Sequence, residues 1–208
     1  MRPTINSDAE PEHKENAVVS LDEKIEHGLQ AYRFLKYANN YRATDLYRSF
    51  DSIKTPFLEP VQIDILLQRI INETPREKVN NIITGVYLSK LMNDSYMTMS
   101  NDFVLTLRDT RIAGLATNFE GRIQMLNVTF NGVCGAEFAR NAQNCIFTVF
   151  DIADSYIPSK NCTYRTRSAD IFEKIKHNCS ISVTNKIELY DDAGKLVRVA
   201  EKNIDTTY

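Results

Sequence analysis

The sequence predicts an α+β protein: N-terminal helices capping a short C-terminal parallel β-solenoid, a single-stranded β-helix with 17-residue coils. Two observations carry this. Apolar residues recur at helical spacing before residue 96 and alternate after it. Four tetrapeptides, NVTF, NCIF, NCTY and NCSI, begin at Asn127, Asn144, Asn161 and Asn178, each 17 residues after the last. A fixed period too short for two helices reads as one coil of a solenoid. The 208 residues accordingly divide into a disordered tail over 1–19, a helical module over 20–96, and a β-solenoid with a C-terminal hairpin over 97–208.

Residues 1–19 are polar and acidic with two prolines, a composition that buries too little to order itself. Ser20 and Glu23 then form a capping-box pattern, and Leu21, Ile25, Leu29, Tyr32 and Leu35 make one apolar stripe. A short helix is expected near Thr44–Phe50. A second strong helix carries Ile63, Leu66, Leu67, Ile70 and Ile71 on one side. A third is expected to start at Thr74, with Pro75 at its first position, Glu77 closing the box and a stripe of Val79, Ile82, Ile83, Val86, Tyr87 and Leu91.

From FVLTLR onward the period is two. Aligning the tetrapeptides gives a column Val128, Cys145, Cys162, Cys179 and a column Phe130, Phe147, Tyr164, Ile181. Residues two apart on a strand share a face, so both columns point inward, with Thr129, Ile146, Thr163 and Ser180 outward. The asparagines are expected at coil corners, where their side chains tolerate left-handed backbone and bond to one another between coils. The helices of 60–95 are placed to cover the first end of the stem. KIELYDDAGKLVRV reads as a hairpin that closes the other end or offers an edge to a second copy.

Around Cys134–Gly135, Ala142, Asn144–Cys145, Phe147 and Val149, the chain resembles the glycine-punctuated β-helix at the C-terminal end of the glutamate synthase large subunit and the related formylmethanofuran dehydrogenase C subunit. The likeness covers 127–182. Those domains are scaffolding, so the resemblance implies a structural or docking role and carries no catalytic residues across.

Composition narrows the function. Hydrophobic content of 43%, charged content of 25% and a net charge of −2 describe an ordinary soluble chain and weigh against one that coats nucleic acid or anionic lipid. No apolar run reaches membrane-spanning length and the N-terminus lacks a secretory h-region, so a cytoplasmic protein is expected, its four cysteines reduced.

Candidate chemistry is sparse. The three histidines, His13, His27 and His177, make neither a triad nor a metal cluster. Cys134, Cys145, Cys162 and Cys179 are weighed as a soft-metal site, but a parallel ladder does not converge its sulfurs tetrahedrally, so they are read as core. Asp151, Asp154 and Asp170 lie where some β-helices carry catalytic carboxylates, yet their offsets within the coil differ. Tyr32, Arg33, Lys36, Tyr37, Tyr41, Arg42, Tyr47 and Arg48 interleave aromatic and basic residues as a single-strand binder would, or as a helix whose aromatics pack inward. No catalytic, cofactor-binding or metal residue is assigned. The expected function is a non-enzymatic scaffold or interaction protein with a protein partner or self-association. Two alternatives stand beside it: an enzyme subunit with a site between helices and stem, and a nucleic-acid binder through 32–48.

Overall fold

Ser20 starts the first helix as the capping box requires: its hydroxyl accepts the Glu23 N–H at 3.2 Å, and its own N–H donates to the Glu23 carboxylate at 2.8 Å. In the computed structural model of the chain, residues 20–35, 55–96, 101–121, 126–153, 157, 159–178, 185–201 and 204–207 are described. The tail 1–19, the expected helix Thr44–Phe50 and most of the Tyr/Arg segment lie outside the described residues, as do His13, Asp154, Cys179 and Ile181.

The first helix, α1 (Leu21–Leu35), buries Ile25, Gly28, Leu29, Tyr32 and Leu35. Leu21, at its exposed start, stays 46% accessible and outside the core. Helix α2 (Pro60–Glu73) has proline at its start, and Gln62 accepts the Glu59 N–H at 3.0 Å. Its buried stripe is Ile63, Leu66, Leu67 and Ile70.

The helix expected from Thr74 to residue 95 is two helices, α3 (Arg76–Val79) and α4 (Ile82–Tyr96). Thr74 instead closes α2, its N–H donating to the Ile70 carbonyl at 3.0 Å. The break falls at Asn80 because that residue is engaged elsewhere. Its side chain accepts the Arg111 N–H at 2.7 Å, while the Asn81 side chain accepts the Ile83 N–H at 3.3 Å. Helix α4 is buried nearly all round, and two hydroxyls along it are bonded inside: Tyr32 and Thr84 share a 2.8 Å hydrogen bond, and Tyr87 donates to the Gly28 carbonyl at 2.8 Å.

Seven strands follow in chain order across one sheet. They are β1 (Asp102–Ile112), β2 (Leu126–Cys134), β3 (Cys145–Ile152), β4 (Thr163–Thr166), β5 (Lys186–Tyr190), β6 (Leu196–Glu201) and β7 (Ile204–Thr207). The first five pair in parallel; β5, β6 and β7 pair antiparallel. Phe103, Val128, Phe147, Tyr164, Ile187 and Ala200 are register partners in turn and all are buried, so one inward row runs across six strands. Phe147 is the centre of an aromatic cluster, with ring centroids 5.3 Å from Phe138, 5.5 Å from Tyr164 and 6.3 Å from Phe130 and Phe119. Helices and strands share one continuous core.

The expected β-solenoid is not formed. Among the described residues the strands make a single open sheet, and the return segments contribute isolated bridges alone, Glu120 to Gln143 and Gln143 to Lys160. Nor is the period constant. Asp102 pairs with Asn127, Leu126 with Cys145, Ile146 with Thr163 and Thr163 with Lys186, offsets of 25, 19, 17 and 23 residues. The 17-residue interval therefore describes one step.

The asparagine spine fails for the same reason. Asn144 and Asn161, both at φ 54°, do stack, with Asn161 Nδ2 donating to Asn144 Oδ1 at 2.5 Å. Asn127 lies within β2 beside Asp102, to which it donates at 2.9 Å, and Asn178 ends a helix, α5 (Ala169–Asn178). That helix accounts for the charged TRSADIFEKI segment: Ser168 Oγ accepts the Ile171 N–H at 3.3 Å, and Ile171, Phe172 and Ile175 face the core.

A different repeat is present. AGLATN (113–118) and AEFARN (136–141) form stacked turns, with positive φ at Gly114, Ala116 and Asn118 and at Glu137, Ala139 and Asn141. Gly114 N–H donates to the Ala136 carbonyl, and Ala139 N–H to the Leu115 carbonyl, each at 2.8 Å.

Helices α2 and α3 seal the free edge of β1 with side chains in place of a strand. Asp64 Oδ1 accepts the Thr106 N–H at 2.7 Å and Gln68 donates to the Thr106 carbonyl at 2.7 Å. Asn80 takes the Arg111 N–H, and Arg76 donates to the Asp109 carbonyl. An edge strand left bare is a template for another chain.

Two substitutions test this packing. A Cβ on Gly85 would sit 1.9 Å from the Ala113 carbonyl oxygen, backbone that cannot give way. Gly85→Ala is expected to destabilise by about 1–3 kcal/mol or more, read as the urea midpoint. Asp64→Ala strands the Thr106 N–H at a half-buried edge and is expected to cost about 1–3 kcal/mol, with faster exchange of the β1 amides.

Candidate functional site

The alternation that sends one row inward sends the next outward, away from the helices. Thr129, Thr148, Arg165, Glu188 and Val199 are register partners across β2 to β6. Together with Phe150, Thr166, Arg167, Tyr190 and Gly194, the first three line a groove of about 480 Å3, a size ordinary for binding sites. The β5–β6 turn forms one wall. It is closed by Asp191, whose carboxylate accepts the Lys195 N–H at 2.7 Å and whose carbonyl accepts the Gly194 N–H at 3.0 Å, with Gly194 at φ 79°.

Glu188 organises the charge. Its side chain is 8% exposed, and three donors converge on it: Arg165 Nε at 3.0 Å, Lys186 Nζ at 2.7 Å and the Tyr190 hydroxyl at 2.7 Å. Burial pulls the Glu188 pKa upward, but the hydrogen bonds from Lys186, Tyr190 and Arg165 outweigh it and hold the carboxyl below its ordinary value. The same contact holds the Lys186 ammonium above its ordinary value, and burial followed by the bond to Glu188 pushes the Tyr190 phenol up.

Arg165 spends only Nε on this carboxylate, leaving the fork of its guanidinium toward the groove. Arg167 is exposed and forms no ion pair among the described residues. Phe150, 55% exposed, places an aromatic ring beside them. The groove thus combines unspent cationic donors, threonine hydroxyls and two aromatic rings, a donor set for an anionic group with an apolar neighbour.

The residues weighed from sequence fall elsewhere. Cys134, Cys145 and Cys162 are buried free thiols, and Cys145 partners Leu126, not Val128, so the expected column is broken. Asp151 accepts the Ile152 N–H at 2.7 Å and lies 3.3 Å from Lys174 Nζ. Asp170 is exposed in the first turn of α5, His177 is exposed in the last, and His27 is exposed on α1. Of these, Cys145 and Cys162 stand side by side across the β3–β4 step. Tyr32, from the interleaved segment, points into the core. A smaller hollow of about 260 Å3 does lie between helices and sheet edge, lined by Ile71, Arg76, Val79, Arg108, Asp109 and Thr110. It offers no nucleophile paired with a base.

Sequence reasoning missed the groove. The outward positions Thr129 and Thr163 were legible, but Arg165, Arg167, Glu188 and Tyr190 meet only because β5 lies beside β4 across 23 residues and an intervening helix. Among the described residues there is no cluster of three or more potential metal ligands, and none of the described helices is long and apolar enough to cross a membrane.

The pH dependence of stability follows from Glu188. Because its folded pKa lies below the unfolded value, its contribution is complete above about 4.5 and fades as pH falls through the lowered folded value. Urea denaturation at pH 6 and pH 3 is expected to show a larger loss for the native chain than for Glu188→Gln, which has no such proton to take up. No family model, curated protein or solved structure matches this chain.

Proposed function

We propose that the chain is a non-enzymatic interaction protein whose outer sheet face docks an extended acidic segment of a partner protein. The observation that carries this is the groove beside β4, where Arg165 and Arg167 present guanidinium donors that no carboxylate of the described chain saturates. Arg165 lies on β4 and Arg167 directly follows its last residue, Thr166, so neighbouring acidic residues of an extended peptide running along β4 meet both guanidiniums. Phe150 and Tyr190 flank that line and suit an apolar residue next to the acidic pair.

The net charge of −2 favours a short acidic segment over a long polyanion, which the rest of the surface would repel. Glu188, the carboxylate beside the groove, is already engaged by Arg165, Lys186 and the Tyr190 hydroxyl, which supports a binding surface.

The test is fluorescence anisotropy with a labelled peptide carrying neighbouring glutamates and an adjacent phenylalanine. Binding is expected to weaken with salt, to weaken about ten-fold in Arg167→Ala, and to vanish for the glutamine counterpart of the peptide. Equal affinity for the glutamine peptide would overturn the reading. Preference for an oligouridylate over the acidic peptide would replace it with single-strand nucleic-acid binding.

A further inference from the structure

One pair of chemically active side chains has no part in the groove. Cys145 opens β3 and Cys162 immediately precedes β4, one strand over; since Ile146 pairs with Thr163, the two cysteines face each other across the same parallel step. Both are buried, 0% and 1% exposed, on the inner side of the sheet. Each thiol donates to the carbonyl two residues before it, Cys145 to Gln143 at 3.0 Å and Cys162 to Lys160 at 3.4 Å, and Gln143 and Lys160 are themselves bridged. The two sulfurs are therefore held in the same local geometry and displaced by one strand spacing, ~4.8 Å.

That spacing decides what the pair can bind. Side by side, the sulfurs do not converge for a tetrahedral ion, which needs four ligands. A two-coordinate ion needs only a sulfur on either side, separated by twice a metal–thiolate bond of ~2.3 Å, close to the strand spacing. Ions that accept two thiolates are the soft monovalent ones, copper(I) foremost.

The surroundings suit the charge such a centre would carry. Two thiolates about a monovalent cation leave one net negative charge. Polar groups lie close by: the Gly121 N–H donates to the Gln143 carbonyl at 3.0 Å, and the Ser159 hydroxyl bonds the Tyr164 hydroxyl at 2.6 Å. Asn185, 1% exposed, fixes this arrangement: its Oδ1 accepts the Cys162 N–H at 2.9 Å and its Nδ2 donates to the Ser159 carbonyl at 3.0 Å.

We propose that Cys145 and Cys162 form a two-coordinate site for copper(I). The ion enters between the sulfurs; both thiols lose their protons to solvent and bind as thiolates.

The experiment is an anaerobic titration of the full chain with copper(I), incubated to equilibrium in a reductant against bicinchoninate as a chromogenic competitor. One equivalent is expected to be held by the protein. Cys145→Ser and Cys162→Ser are each expected to lower the affinity at least ten-fold, while Cys134→Ser leaves it unchanged. Failure of the native chain to compete, or retention of binding in both serine variants, overturns the proposal. Should a serine variant fail to fold, the copper K-edge absorption of the loaded native chain decides. Two sulfur neighbours support the site, and three or more overturn it. The outcome is independent of whether the outer groove binds an acidic segment.

Discussion

The inward row from Phe103 through Val128, Phe147, Tyr164 and Ile187 to Ala200 is the constraint on which the rest of the molecule depends. Side chains alternate strictly along a strand, so slipping any pair by one residue would turn its apolar set outward. Phe147 shows how strongly the row resists that. It packs against four aromatic rings, two from neighbouring strands and two from the connections that follow β1 and β2. Burying a large aromatic is worth about 1.5–3 kcal/mol, and ring pairs add roughly 0.5–1.5 kcal/mol each. The register so fixed also dictates the outer row. Thr129, Thr148, Arg165 and Glu188 stand abreast because their inward neighbours do.

The helices protect this arrangement from its weak side. A parallel strand cannot end a sheet without exposing alternate N–H and C=O groups, and β1 would do so along eleven residues. Helix α2 answers with Asp64 and Gln68, one acceptor and one donor directed at the two faces of a single peptide group pair at Thr106. The contact works only because Ile63, Leu66, Leu67 and Ile70, on the opposite flank, anchor α2 in the core. Gly85 contributes from α4 by letting the Ala113 turn lie against the helix backbone. Core packing and edge satisfaction are thus one structure, and the break between α3 and α4 belongs to it, since Asn80 is where the second edge contact is made.

Local chemistry explains which parts of this were legible from sequence. The capping box at Ser20, the stripes of α1 and α2, and the inward positions Val128, Phe130, Phe147 and Tyr164 are set by residues within a few positions of one another. The 17-residue interval misled because Asn-x-x-apolar marks three different settings: mid-strand at Asn127, a left-handed turn at Asn144 and Asn161, and a helix end at Asn178. A short motif reports local backbone tolerance and does not report what the next strand is. The true stacked turns, AGLATN and AEFARN, share little beyond two alanines and a closing asparagine, because positive φ at alternate positions is the common requirement and Gly, Ala, Glu and Asn all meet it there. The groove was beyond local reading altogether. It needs β4 and β5 to be neighbours across α5, a fact of topology carried by the core residues Phe172 and Ile175.

Glu188 joins the two faces of the sheet in one residue position. Between Ile187, which continues the inward row, and Leu189, it must point outward, beside Arg165. There a lone arginine and lysine on adjacent strands would repel each other across the ~4.8 Å strand spacing. One carboxylate shared by Arg165 Nε and Lys186 Nζ removes that repulsion and stiffens both cations, while Tyr190 completes its remaining acceptor capacity. The consequence is selective. Lys186 is committed to Glu188, Arg165 is half committed, and Arg167, just past the end of β4, is uncommitted among the described residues. Positive character therefore rises along the strand toward Phe150 and the β5–β6 turn, and a ligand that fits must place its charge at that end.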